Sequence, residues 1–163
     1  MLILVCGLPG TGKTTIAKAL SQATGYTLIR TDVIRKELLN ENKYTEKERD
    51  TVYEQILTIA GQKLRGGEDC ILDGTFYKKS LRNEARETAE KNGSKFHLVE
   101  CVLHEDSVKK RINARKGDES EADFAVYRKL KKTFEPITRK HIVIDTSKGT
   151  KNNIDKILED IKK

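Results

Sequence analysis

No tryptophan, two prolines, three cysteines and a 6% aromatic content mark this 163-residue sequence. So little proline, with 11 glycines in no short period, excludes a collagen-like or proline-rich extended chain. The cysteines, Cys6, Cys70 and Cys101, are odd in number and form no CxxC pair, which argues against a disulfide framework and a structural zinc site. Each sits in or beside an apolar run, so they read as reduced core residues of a protein in a reducing, cytoplasmic compartment. The longest apolar run is Met1 to Cys6, far short of the ~20 residues a membrane helix needs. No basic stretch precedes that run, so it does not read as a signal peptide. Internal repeats, low-complexity stretches and linkers are also missing. High Lys and Glu content without Trp is compatible with a thermophile.

What is present is a nearly even balance of 36% hydrophobic and 35% charged residues, the composition of a globule with a charged exterior. The length fits a single domain over 1–163, able to bury about 70% of its unfolded surface. The formal charge is +7, from 32 basic and 25 acidic residues. Such a surface attracts phosphate, in a nucleotide or along a nucleic-acid backbone, although many Lys-rich proteins carry the same charge without binding nucleic acid.

Five short runs read as strands: Leu2 to Cys6, Thr27 to Arg30, Cys70 to Asp73, Phe96 to Leu103 and His141 to Asp145. The first is continuously apolar, as a strand covered on both faces must be. Between them the apolar period is helical. Ile16, Ala19 and Leu20 form one face; Val52, Ile56, Ile59, Ala60 and Leu64 form another, preceded by Thr45 and Glu48 at capping-box spacing. Lys78–Asn92, Asp106–Lys116 and Ser120–Phe134 follow. Ile154, Ile157, Leu158 and Ile161 close the chain as an amphipathic helix, and Gly25, Gly66-Gly67 and Gly93 mark joints. Strands alternating with helices predict an α/β fold, a parallel sheet between two helical layers.

Directly after the first strand comes Gly7-Leu8-Pro9-Gly10-Thr11-Gly12-Lys13-Thr14, then a helix. This is GxxxxGK[ST] in its strand–loop–helix setting. Glycines at 7, 10 and 12 let the backbone curl so that successive N–H groups face a phosphate, and the helix N-terminus adds its dipole beneath. Lys13 can reach the β- and γ-phosphates, and the Thr14 hydroxyl one Mg²⁺ position, with Thr15 beside it. The pattern points to a nucleoside triphosphate. A GTPase would need an NKxD-like motif after a later strand, which Asn42-Lys43-Tyr44-Thr45 does not supply. An AAA-type motor would need a longer chain and a helical lid domain.

Residues just past strand ends face the ligand crevice of a parallel sheet. After the second strand these include Asp32 and Arg35, three apart on a first helical turn. Asp32 can take a proton from an attacking hydroxyl and Arg35 can hold an anionic group of the acceptor; the alternative for Asp32 is a helix N-cap. The third strand ends in Asp73-Gly74-Thr75-Phe76. There Asp73 can hold Mg²⁺ through water or position the acceptor beside Thr75, or simply form a turn. Arg82, on the next helix, faces either solvent or the substrate groove. Lys109 to Lys116 carries five cations in eight residues, with Arg111 and Arg115 at i,i+4. Two guanidiniums on one helix face suit a lid over a triphosphate, at about 105–120, hinged at Gly117 before Asp118-Glu119; a solvated charged face is the alternative. The run Arg128 to Lys132 reads as such a face.

Taken together, GLPGTGKTT, TDVIRKEL, LDGTFYKKSLRNEA, VKKRINARKGDESEADFAVYRKL, the FEP of Phe134 to Pro136 and the IDTS of Ile144 to Ser147 resemble the P-loop kinases of the polynucleotide kinase, zeta toxin and gluconate kinase group. The likeness covers roughly residues 1–147. It implies sheet order 2-3-1-4-5, ATP with Mg²⁺ as donor and a hydroxyl as acceptor. It further implies Asp32 as general base, Arg35 on an acceptor phosphate, Arg111 and Arg115 in the lid, and the loop Thr146 to Thr150, with Ser147 and Gly149, against the adenine. Many polynucleotide kinases have Asn-Thr-Asn where this chain has Asp73-Gly74-Thr75-Phe76, a departure that bears on the acceptor. The expectation carried forward is transfer of the γ-phosphate to the 5′-hydroxyl end of RNA or DNA. A small-molecule hydroxyl (sugar acid, amino sugar or antibiotic) is the alternative acceptor, and a non-catalytic nucleotide switch is the rival class. No membrane partner is expected.

Overall fold

The computed structural model describes residues 1–39, 45–114 and 124–163. Five parallel strands form one sheet in the order β2-β3-β1-β4-β5: β1 Leu2–Cys6, β2 Thr27–Arg30, β3 Cys70–Asp73, β4 Phe96–Val102 and β5 Ile142–Asp145. β1 is buried at every residue because it is central and both its faces are covered. Its alternate side chains enter two cores. Leu2, Leu4 and Cys6 join Leu72, Ile56, Ala60 and Ala85 beneath α3 (Glu46–Arg65) and α4 (Lys79–Lys91). Ile3 and Val5 join Ile16, Leu20, Ile154 and Ile157 beneath α1 (Lys13–Thr24) and α7 (Thr150–Lys162). The three-layer α/β architecture and its strand order are therefore those expected.

Local chemistry sets the helix boundaries. The capping box of α3 is formed: Thr45 Oγ1 accepts from the Glu48 N–H at 3.2 Å, and Glu48 Oε2 accepts from the Thr45 N–H at 3.3 Å. α1 ends at Gly25, whose left-handed φ of 74° closes the helix on Ser21 O. α5 (Glu105–Ala114) and α6 (Phe124–Thr133) pack on each other through Val108, Ile112 and Tyr127. Among the described residues the last strand leads into a 3-10 turn, Thr146–Lys148, that periodicity did not predict. Arg115, Lys116, the hinge Gly117, Asp118, Glu119 and the expected helix start at Ser120 lie outside the described residues, as does Asn42-Lys43-Tyr44.

All three cysteines are free and buried. Burial pushes their thiols up, Cys70 to about 11 and Cys101 to about 12. They are core residues with little thiolate character. Among the described residues, no helix is long and apolar enough to cross a membrane.

Register positions the site. Arg30 pairs with Asp73, and Asp73 with Val5, so the carboxyl ends of β1, β2 and β3 finish level along one edge. Leaving that edge are the loops that begin at Gly7 and Gly74 and the helix that begins at Thr31.

Candidate active site

The loop 7–12 is held by its own backbone demands. Gly7, Gly10 and Gly12 all have positive φ, at 141°, 75° and 87°. A Cβ at Gly7 would stand 2.4 Å from the Cys101 carbonyl oxygen of β4, and one at Gly10 would stand 2.7 Å from Ile112 Cγ1 of α5. Close packing as well as conformation requires glycine at these two positions. Pro9 is buried, and Leu8 O accepts from Thr11 Oγ1 at 2.7 Å and from Lys13 Nζ at 3.0 Å. Gly12 precedes α1 without a side-chain cap, so the first-turn N–H groups of α1 face the loop.

Beneath the loop lies a tight polar triad. Thr14 Oγ1 donates to Asp73 Oδ2 at 2.7 Å, Arg30 Nε donates to the same oxygen at 3.2 Å, and Arg30 Nη2 donates to Thr14 Oγ1 at 3.2 Å. Arg30 and Asp73 are both buried. Thr14 and Asp73 offer two hard oxygen donors at the helix N-terminus, which fits Mg²⁺, an ion commonly held by one or two protein groups together with substrate phosphates. Among the described residues there is no cluster of three or more His, Cys, Asp or Glu, the pattern of an all-protein metal cage.

Asp32, in the first turn of α2 (Thr31–Leu38), is the neighbour of this triad. It is not the N-cap, a position held by Arg30 with no side-chain cap bond. Burial holds its carboxyl above the ordinary Asp range; Lys13 pulls it down, Asp73 pushes it up, and Arg30 and Arg35 pull it down. Four charged groups at this edge, Lys13, Asp73, Arg30 and Arg35, surround one carboxylate. Arg35, from the next turn, is buried beside it.

The β3–α4 loop closes the same side. A Cβ at Gly74 would meet Thr31 Cγ2 at 2.6 Å, so glycine lets this loop abut the start of α2. Thr75 is half-buried between them. Phe76 takes a φ of 45°, uncommon for a bulky residue, and is held by its N–H bond to the Tyr53 hydroxyl at 3.0 Å and an edge-on ring contact at 4.8 Å. Arg82 is not brought to the crevice with the others. Its Nη1 donates to the Phe76 and Tyr77 carbonyls at 2.8 and 3.2 Å, its Nη2 to the Glu135 and Pro136 carbonyls at 2.7 and 3.4 Å, and the guanidinium lies over the Phe134 ring. It is a buried tie between the β3–α4 loop and the FEP segment.

On the other side of the loop, Arg111 Nη1 donates to Thr146 Oγ1 at 3.2 Å, and Thr146 Oγ1 donates to Thr11 O at 2.7 Å. These bonds link α5, the turn after β5 and the glycine loop around a cleft of about 390 Å³, lined by Gly12, Thr15, Arg111, Ala114, Thr146 and Thr150. Ser147 turns away to Asp145, with its N–H and hydroxyl bonding that carboxylate at 2.9 and 2.7 Å. Gly149 adopts a φ of 87° with open space around it. Sequence reasoning selected neither Arg30 nor Thr146 individually. Arg30 was legible only through strand register, and Thr146 only through the return of the last strand beside the first.

Comparison with known proteins identifies the family and the fold. An uncharacterised protein of Mycobacterium tuberculosis (strain H37Rv), Rv2004c, is 33% identical over 133 residues, 74% of this chain. This chain spans only about a quarter of that relative's length, 27%. Among solved structures, a sugar kinase from Janibacter superposes with a TM-score of 0.78 at 19% identity, over 97% of this chain and 92% of its own. The Mycobacterium tuberculosis APS kinase CysC, in complex with AMPPNP and APS, gives 0.77 at 13% identity over 99% and 97%. At these identities the structural likeness shows the P-loop kinase-like fold alone. With residues 2–137 matched by the family's sequence model, described as an AAA domain, the chain belongs to the AAA_33 family of P-loop proteins.

Proposed function

We propose that the protein is an ATP-dependent phosphotransferase that moves a γ-phosphate onto the hydroxyl of a small molecule. The observation that carries the reading is the convergence of Lys13, Thr14, Asp73 and Asp32 at one sheet edge. A pure nucleotide switch has no use for a half-buried second carboxylate, Asp32, beside the Lys13 ammonium. In this reading Lys13 leaves Leu8 O for the β/γ-phosphate oxygens, and the N–H groups of loop 7–12 bind the rest of the triphosphate. Thr14 and Asp73 would hold Mg²⁺, which would supply charge neutralisation for the triphosphate. Asp32 accepts the acceptor's hydroxyl proton, and Arg35 grips an anionic group of the same molecule. Arg111 stands over Gly12 and neutralises charge on the transferring group; Arg115 is proposed for the same task on its i,i+4 spacing alone. The nucleoside moiety fits the cleft beside Thr15, Thr146 and Thr150, with Ser147 and Gly149 at its rim.

The acceptor expectation changes here. A 5′ end of RNA or DNA was the first reading of the sequence. The named structural neighbours are a sugar kinase and an APS kinase, which favour the small-molecule alternative. The test is transfer from γ-labelled ATP with Mg²⁺ to a panel of sugars, sugar acids, amino sugars and sulfate- or phosphate-bearing nucleosides, alongside 5′-hydroxyl oligonucleotides. Label on a small molecule is expected, with an acceptor affinity that changes little between 50 and 200 mM salt. Label on oligonucleotide ends, with affinity falling steeply over that range through counterion release, would restore the nucleic-acid reading. Absence of both transfer and ATP hydrolysis would leave a switch.

A further inference from the structure

We propose that Arg30 is a positioning residue that competes with the divalent cation for Thr14 and Asp73, and so makes metal binding at this site depend on the arrival of the triphosphate. The inference rests on the reading of Thr14 and Asp73 as the metal pair. One guanidinium engages both oxygens a cation would need: Nε on Asp73 Oδ2 and Nη2 on Thr14 Oγ1, each at 3.2 Å. The Thr14 hydroxyl gives its only proton to Asp73, so the Arg30 N–H takes up one of the two lone pairs that are its ligating capacity. The contact is not an accident of a flexible side chain. Arg30 is the cross-strand partner of Asp73 at the end of β2, and both residues are almost fully buried, at 6% and 4% side-chain exposure. In such surroundings a fixed positive charge repels a second cation more strongly than it would in water. A nucleotide reverses the balance, because its phosphates add several negative charges to the same point. Arg30 would then keep Asp73 oriented, and Thr14 and Asp73 would hold the metal beside the phosphates.

A merely structural Arg30 makes a different prediction. Its loss would lower stability and leave the response to metal unchanged or weaker. The experiment is a titration of the protein with Mg²⁺ alone, without nucleotide, read by calorimetry and by the shift in thermal midpoint. Arg30→Gln keeps hydrogen-bonding groups near Asp73 and removes the charge. Its half-saturating Mg²⁺ concentration is expected to be at least tenfold lower than wild type, and Asp73→Asn in the same background should abolish the gain. A folded Arg30→Gln protein with an unchanged or higher Mg²⁺ requirement overturns the proposal. A variant that folds only when Mg²⁺ is supplied supports it. If Arg30→Gln folds in neither condition, Arg30→Met decides: it keeps an extended side chain and removes the charge and every N–H donor, so a half-saturating Mg²⁺ concentration at least threefold lower supports the competition and no shift overturns it. Wild-type binding of Mg²⁺ with ATP is measured in parallel, and its failure would sink the kinase reading itself rather than the role of Arg30.

Discussion

Asp32, the general base in the proposed reading, carries a folding cost of its own. Its folded-state affinity for a proton is raised by burial, with Lys13, Arg30 and Arg35 only partly offsetting that effect. A carboxyl whose folded value exceeds its unfolded one works against folding as pH rises through the window that starts at the ordinary value of 3.8. Asp32→Asn should therefore melt higher than wild type at pH 7, with the difference closing as pH falls below 3.8, while phosphoryl transfer drops by about 10³-fold and ATP affinity stays nearly constant. Thermal melts across pH, beside single-turnover assays, check both halves; near-wild-type turnover would show that the base lies elsewhere. The acid limb of kcat/KM in the wild type should lie above the ordinary Asp value for the same reason. Gly7 presents the opposite case, a residue whose importance is steric. Gly7→Ala places a methyl group 2.4 Å from Cys101 O on a φ of 141°, and should cost about 2–4 kcal/mol by urea unfolding and abolish ATP binding. The motif made Gly7 legible from the sequence. The reason, a carbonyl on a strand 94 residues away in sequence, was not.

At the scale of elements, the loop after β3 is held from two directions, by the Tyr53 hydroxyl on Phe76 N–H and by Arg82 on the Phe76 and Tyr77 carbonyls. Arg82 also reaches the Glu135 and Pro136 carbonyls, so one guanidinium fixes two loops relative to α4. Arg82→Ala strands these acceptors and should cost about 2–4 kcal/mol. Because the loop it holds carries Thr75 and follows Asp73, the residual folded enzyme should show a raised acceptor KM with little change in ATP affinity. Equal loss of both would place Arg82 outside the acceptor side. The elements themselves were largely legible: β1, β2 and β3 have the bounds their apolar runs implied, since a buried strand must be apolar on both faces. Ends were less so. β4 stops at Val102 instead of Leu103 and β5 begins at Ile142 instead of His141, whose Nε2 pairs with Glu100 at 2.9 Å. Periodicity reports which face a residue occupies, and it is silent on where pairing with a neighbour stops. It is equally silent on register, which is why Arg30 does not read as a site residue, and on which loops a helix abuts, which is why Arg82 stays open between solvent and groove.

For the whole molecule, the loop 7–12 is the point where otherwise separate parts meet. Val108 and Ile112 of α5 back Gly10, Cys101 of β4 backs Gly7, Thr146 after β5 bonds Thr11, and Asp73 at the end of β3 bonds Thr14. A ligand seated on this loop therefore contacts groups from both halves of the sheet, and its binding energy is coupled to global unfolding rather than to a local loop. At 100 times its dissociation constant a ligand that binds only the folded state adds about 2.7 kcal/mol. For a domain of this size that amounts to a rise of about 5–10 °C in the thermal midpoint. Mg²⁺ with ATP should produce a shift of this order as a single sharpened transition, and ATP with a chelator a smaller one. Lys13→Ala is the informative control. Among the described residues Lys13 Nζ donates to Leu8 O and faces the Asp32 carboxylate, so its removal should lower the unliganded midpoint by only about 2–4 °C while abolishing most of the nucleotide-dependent rise. Two transitions instead of one, with only the later one moved by nucleotide, would mean that the sheet edge and the rest of the chain unfold separately, and that coupling through loop 7–12 is weaker than its contacts imply.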